Sequence, residues 1–252
     1  MSIQSTGLRS AGKTKLLLAA VVAAGAAVAL SSTAARATVI YSQTFSAQAS
    51  GALNLVAPTT GPSGQDWLTV AGNFYPVPAT GGTLDTKGYG SYLPFKPAQG
   101  NIYELSATLD PISSSNNTNW LSVGFGSGIP ASNQGPAMLL RVNGEIGLSD
   151  GTTGSAGTAP TTSGSYTTNE LAEVVLNTMS TAWTATWYYN NVDLGSVTYT
   201  TNPTITGVAI GSNAVNGQFN SFELQTVPEP TALGLLGIGA VGLLLAARRK
   251  RA

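Results

Sequence analysis

The chain has no cysteine and no histidine, which removes whole classes of side-chain chemistry. A disulfide, a thiol nucleophile, a thiolate metal site, a Ser-His-Asp triad and an ordinary zinc site are excluded. Carboxylate catalysis, oxygen-ligated Ca²⁺, or binding without chemistry remain. Glu170 and Glu173 are spaced so that one strand would put them on opposite faces. That suits two solvated acids at a strand start better than an acid–nucleophile pair. Asp85, Asp110, Asp150 and Asp193 fall in or near predicted loops. They could gather round Ca²⁺, but no D-x-D-x-D-G spacing links them, and turn-capping explains them too. No metal residue is assigned and no cofactor is expected, with Ca²⁺ the one candidate. Gly124, Gly126 and Gly128 precede no helical pattern, so they read as the loosened end of a strand rather than a phosphate cradle.

The binding candidates are Trp120 and Arg141. Leu121, Val123 and Phe125 alternate as one apolar row, which turns Trp120 to the other face, beside Ser122. Arg141 and Leu139 likewise point away from Met138 and Leu140. An indole with a guanidinium nearby can stack on a sugar ring and hydrogen-bond it. The competing reading puts Trp120 under a loop in a second small core, because tryptophan is usually well buried.

These side chains need strands to position them. No sustained helical period occurs, and short alternating runs are separated by Gly, Asn and Pro clusters. Strands are predicted over 39–45, 102–109, 119–125, 137–142, 171–178, 182–189, 192–199, 204–210 and 218–224. Tyr103, Leu105, Ala107 and Leu109 form an inward row. So do Trp183, Ala185, Trp187 and Tyr189, and Phe222 with Leu224 closes the set. Asn190-Asn191 between Tyr189 and Val192 predicts a two-residue type I′ turn. Residues 57–64, 75–90 and 150–165 are predicted surface loops. The expected fold is all-β, an antiparallel β-sandwich over 38–226.

Both ends read as targeting segments. Arg9, Lys13 and Lys15 precede the apolar residues 16–30, and Ala35-Arg36-Ala37 fits a small-x-small cleavage site. A signal peptide over 1–37, removed by signal peptidase, is expected. At the other end, Val227-Pro228-Glu229-Pro230 precedes the uncharged apolar run 232–247 and then Arg248-Arg249-Lys250-Arg251. The prolines stop a helix from extending back into the body. The run falls just short of the roughly 17–25 residues of an ordinary transmembrane helix. The four cations form a cytoplasmic stop.

The tags also distort the charge balance. The chain has 11 basic and 11 acidic residues, yet only Lys87, Lys96 and Arg141 of the basic ones lie in 38–226. All the acids but Glu229 lie there. A body so acidic repels nucleic acid, so no nucleic-acid partner is expected.

The 227–252 segment resembles the PEP-CTERM sorting domain of Gram-negative bacteria. The resemblance implies recognition by exosortase, cutting near Pro-Glu-Pro, membrane attachment through the C-terminal helix before processing, and export to the cell surface or extracellular matrix. The body is similar to concanavalin A-like or laminin-G-like jelly rolls in its "WTATWYYNNVDLGSVTYT" hairpin, its "TITGVAIGS" strand and its closing "FNSFEL". The family's usual Gly after the turn Asn is missing, since Val192 follows Asn191. Glucan-cutting enzymes of that fold carry E-x-D-x-x-E on one strand, and this chain has no such motif. The expected function is a non-catalytic structural or adhesive role in extracellular polysaccharide or biofilm. The alternative is a carbohydrate-binding module acting through Trp120 and Arg141, and a glycan-active enzyme comes last.

Overall fold

A computed structural model describes residues 37–45, 52–70, 75, 77–78, 88–113, 119–128, 135–151, 157–158, 169–213 and 216–227. Most of the predicted signal peptide lies outside the described residues, as do Asp85, Pro228, Glu229, Pro230, Arg248, Arg249, Lys250 and Arg251.

Among the described residues every regular element is a strand. In chain order these are β1 (Thr38–Thr44), β2 (Leu68–Thr69), β3 (Tyr89–Pro94), β4 (Ile102–Ser113) and β5 (Trp120–Phe125). β6 (Ala137–Arg141), β7 (Ile146–Ser149), β8 (Gly157–Thr158), β9 (Glu170–Asn177) and β10 (Thr184–Tyr189) follow. β11 (Val192–Thr198), β12 (Gly207–Asn213) and β13 (Asn216–Val227) complete the set. One sheet has six strands in the order β1-β13-β4-β9-β10-β11, and the other has seven in the order β2-β3-β12-β5-β6-β7-β8. Strands within each sheet pair antiparallel.

The two sheets meet through the alternating rows. Tyr103, Leu105, Ala107 and Leu109 of β4 are buried, as are Ala172, Val174 and Leu176 of β9 and Phe222 and Leu224 of β13. They face Leu121, Val123 and Phe125 of β5 and Met138 and Leu140 of β6. Burying each Leu, Val, Phe or Met of these rows is worth about 1.5–3 kcal/mol, which holds the register against a one-residue slip. Trp187 spans the sandwich from β10, and its indole Nε1 donates to the Ala137 carbonyl of β6 at 3.0 Å. Trp183 and Tyr189, at the ends of the same row, are only half-buried against the core.

Several elements depart from the sequence reading. β4 runs beyond Leu109 despite Pro111, because β9 stops pairing at Leu109↔Glu170 and that side of the strand needs no further N–H there. Residues 75–90 are not wholly a surface loop. Val77 is buried, its N–H bonds Ser91 Oγ at 2.9 Å, and Tyr89 and Gly90 already belong to β3. The predicted loop 150–165 contains β8, paired with β7. β13 continues past Leu224 to Val227, pairing Thr226 with Tyr103 and Val227 with Ile102. Val227 is therefore the last ladder residue of the sandwich.

The Asn190-Asn191 hairpin is present, closed by Tyr189↔Val192. Both asparagines have positive φ, 47° and 64°, as a type I′ turn requires.

Candidate functional site

The outward side of the seven-stranded sheet is set by register. β5 lies between β12 and β6, so Asn213, Trp120 and Arg141 stand opposite one another in a row across three strands. Directly opposed side chains of this kind start about 4.5–5.5 Å apart at Cβ. The neighbouring rows are Gly211–Ser122–Leu139–Gly147 and Ala209–Gly124–Ala137–Ser149, with Tyr92 opposite Ala209. Ser122, Ala137, Leu139 and Ala209 are buried, and the Ser122 hydroxyl donates to the Gly211 carbonyl at 3.1 Å. Asn213 is exposed, while Trp120 and Arg141 are half-buried. The Asn213–Trp120–Arg141 row is thus one accessible part of this face, with Tyr92 and Gly147 half-buried in the neighbouring rows.

Trp120 is neither a fully open platform nor a core residue. Sequence alternation correctly turns it and Arg141 to one face. It does not reveal Asn213, because that requires knowing that β12 neighbours β5.

Glu145 was also missed. Its carboxylate lies 2.7 Å from Arg141 Nη1, and the guanidinium holds it below the usual carboxylate range. Asn143 supports the same acid, accepting the Glu145 N–H at 3.0 Å. The β6–β7 turn makes the pair possible. The Gly144 N–H bonds the Arg141 carbonyl at 2.9 Å, Gly144 has φ 86°, and the Arg141 N–H bonds the Glu145 carbonyl at 2.9 Å. Asn143-Gly144 between apolar runs was the readable signal for this hairpin.

The two acids weighed for catalysis are separated as spacing predicts, but Glu170 is not solvated. It sits on the inward row of β9, buried, while Glu173 faces outward. Glu170 Oε2 accepts from the Tyr189 hydroxyl and from Asn190 Nδ2, each at 2.7 Å. Burial and the nearby Glu104 carboxylate raise the Glu173 pKa.

The three of these aspartates that the structure describes, Asp110, Asp150 and Asp193, do not converge. Asp110 lies within β4 rather than a loop, is buried, and accepts from the Asn169 N–H and from Asn220 Nδ2. Asp193 accepts the Gly195 N–H at 2.7 Å in the exposed strand β11. Asp150 follows β7 in the other sheet, where its carbonyl accepts from Tyr199. Among the described residues, no group of three or more acids could hold a metal ion. A separate open cleft of about 450 Å³ is lined by Ile40, Tyr41, Pro94, Phe95, Lys96 and their neighbours.

The described body is an all-β sandwich of two antiparallel sheets. Residues 226–251 match the PEP-CTERM protein-sorting motif, which implies an exported precursor processed by exosortase. Similar solved structures include the Emp47p carbohydrate recognition domain, at 14% identity and TM-score 0.45, covering 77% of this chain and 98% of that one. An endo-1,3-β-glucanase from Streptomyces sioyaensis has 10% identity and TM-score 0.48, covering 79% of this chain and 100% of that one. The Ca²⁺- and Man2-bound VIP36 exoplasmic/lumenal domain has 10% identity and TM-score 0.45, covering 76% and 90%. No curated protein matches the sequence.

Proposed function

We propose that the mature protein is a non-catalytic structural or adhesive component of the cell surface or extracellular polysaccharide. In this reading signal peptidase removes 1–37, the sandwich over 38–226 is the working part, and 227–252 holds the precursor in the membrane until exosortase acts. The observation that carries the non-catalytic reading is that three of the carboxylates are tied into the fold and no strand bears the E-x-D-x-x-E motif. Glu170 is held by Tyr189 and Asn190, Asp110 by Asn169 and Asn220, and Glu145 by Arg141. Glu104 and Glu173 do share the outward face of the six-stranded sheet, but they stand on neighbouring strands rather than on one strand as E-x-D-x-x-E, and Glu104 accepts from Gln225 Nε2 at 3.0 Å.

A second reading has one observation in its favour. The Asn213–Trp120–Arg141 row offers an amide, an indole and a guanidinium side by side on one sheet face, a set suited to a carbohydrate-binding role. Polysaccharide pull-down of the body, with Trp120→Ala as control, separates the two. Retention that is lost in the variant supports the binding module. No retention on any glycan leaves the structural role. Release of reducing sugar would overturn the non-catalytic assignment.

A further inference from the structure

We infer that Glu145 makes the Asn213–Trp120–Arg141 row a site for uncharged sugars, one that takes neutral polysaccharide and turns away uronate-bearing chains. The inference rests on the carbohydrate-binding reading of that row. An arginine beside a tryptophan would by itself suit an acidic sugar, because a guanidinium pairs with a carboxylate through two parallel N–H bonds. The surroundings of Arg141 close that mode.

Arg141 Nη1 lies 2.7 Å from Glu145 Oε1, and Arg141 Nε is buried with no hydrogen-bond partner. A guanidinium offers two forks, Nη1 with Nη2 and Nε with Nη2. A carboxylate arriving on the first would share Nη1 with Glu145, so two anions would meet on one nitrogen. The second is blocked because Nε is out of a ligand's reach. What remains is single N–H donation, which suits a hydroxyl oxygen. The hydrogen bond from Arg141 also lowers the Glu145 pKa, so Glu145 stays ionised wherever a uronate is. The hairpin keeps the acid in place. The Glu145 N–H donates to Asn143 Oδ1 at 3.0 Å, and the Arg141 N–H bonds the Glu145 carbonyl at 2.9 Å.

Among the described residues no second cation makes up the charge. The other described lysine or arginine is Lys96, which lines the separate cleft. It follows β3, whose Pro94 pairs with Gly207 at one end of β12, whereas Asn213 of the row stands at the other end. The length of β12 separates the two ends by roughly 20 Å, more than a Debye length at physiological salt. Asn213 and Trp120 instead bring an amide and a ring face, which meet hydroxyls and C–H surfaces without charge.

The test uses the full chain on matched polymers that differ by the carboxylate: glucan with polyglucuronate, mannan with polymannuronate and galactan with polygalacturonate. Retention counts only where Trp120→Ala removes it, which subtracts any attraction of the Arg248-Arg249-Lys250-Arg251 run. The native chain is expected to hold at least one neutral polymer about tenfold or more tightly than its acidic partner. Glu145→Gln removes the competing anion and should close most of that gap, and the acidic retention it gains should be lost at high salt. Glu145→Asp keeps the charge and should keep the gap. Trp120-dependent retention of an acidic polymer as strong as that of its neutral partner overturns the inference and leaves the carbohydrate reading standing. The absence of any Trp120-dependent retention overturns both. A Glu145→Gln chain that melts like the native one and keeps the gap shows that Glu145 is not the selector, which also overturns the inference. If that variant does not fold, Arg141→Gln probes the same pair from the other side. It leaves Glu145 uncompensated and should widen the gap, and a narrower gap overturns the inference.

Discussion

The Tyr189 hydroxyl donates a 2.7 Å hydrogen bond to the buried Glu170 carboxylate, joining the end of β10 to the start of β9. A carboxylate placed on an inward row is costly unless it is well partnered. Tyr189→Phe should therefore lower stability by about 1.5–3 kcal/mol, the scale of a hydrogen bond to a charged group. Urea denaturation checks this, and an unchanged midpoint would mean that Glu170 does not depend on the phenol.

The two asparagines of the neighbouring turn should respond in opposite directions. Asn190 works through its side chain, with Oδ1 accepting the Leu171 N–H at 2.9 Å and Nδ2 donating to Glu170 at 2.7 Å. Asn190→Gly is expected to destabilise by about 1–3 kcal/mol, the cost of leaving buried groups short of partners. Asn191 has only its φ of 64° to satisfy. Asn191→Gly should be neutral or stabilising by a few tenths of a kcal/mol, since Asn-Gly is the favoured I′ pair. Thermal melts of both variants decide it.

Trp120 and Trp187 provide a contrast between surface and core. Trp187 is buried and its Nε1–H is bonded across the sandwich. Trp187→Ala should cost about 3–5 kcal/mol. Trp120 is half-buried, so Trp120→Ala should move the melting temperature much less. On the binding reading, it should weaken glycan affinity by roughly 1–3 kcal/mol, the worth of a large apolar side chain. A Trp120 variant as unstable as the Trp187 variant would place Trp120 in a core.

Glu173 predicts a pH dependence. Its pKa is raised, first by burial and then by the Glu104 carboxylate. The folded chain therefore holds this proton more tightly than the unfolded chain. The associated stability is present below the ordinary carboxylate range and is lost as pH rises through the raised value. Glu173→Gln should melt higher than the native chain at neutral pH, with the gap closing below about pH 4. Melting curves across that range check the sign, and a gap constant with pH would rule out charge as its cause.

Period-two alternation placed the rows of β4, β5, β6 and β10, because successive side chains along a strand point to opposite faces. Local chemistry was equally direct at Asn190-Asn191, where the turn demands positive φ, and in the tail, where prolines, an apolar run and cations occur in sequence. β3, β7 and β8 were not legible. They are short and rich in Gly, Ser and Pro, so their strand character comes from the neighbours they pair with. The burial of Glu170 was also hidden, since its hydrogen-bonding groups lie on another strand. The order of strands belongs to the tertiary structure alone. That order sets Asn213 beside Trp120 and makes Val227 a partner of Ile102. Such pairings join residues far apart in the chain, and they are selected by how two whole sheets close on one core, which no local pattern of side chains encodes.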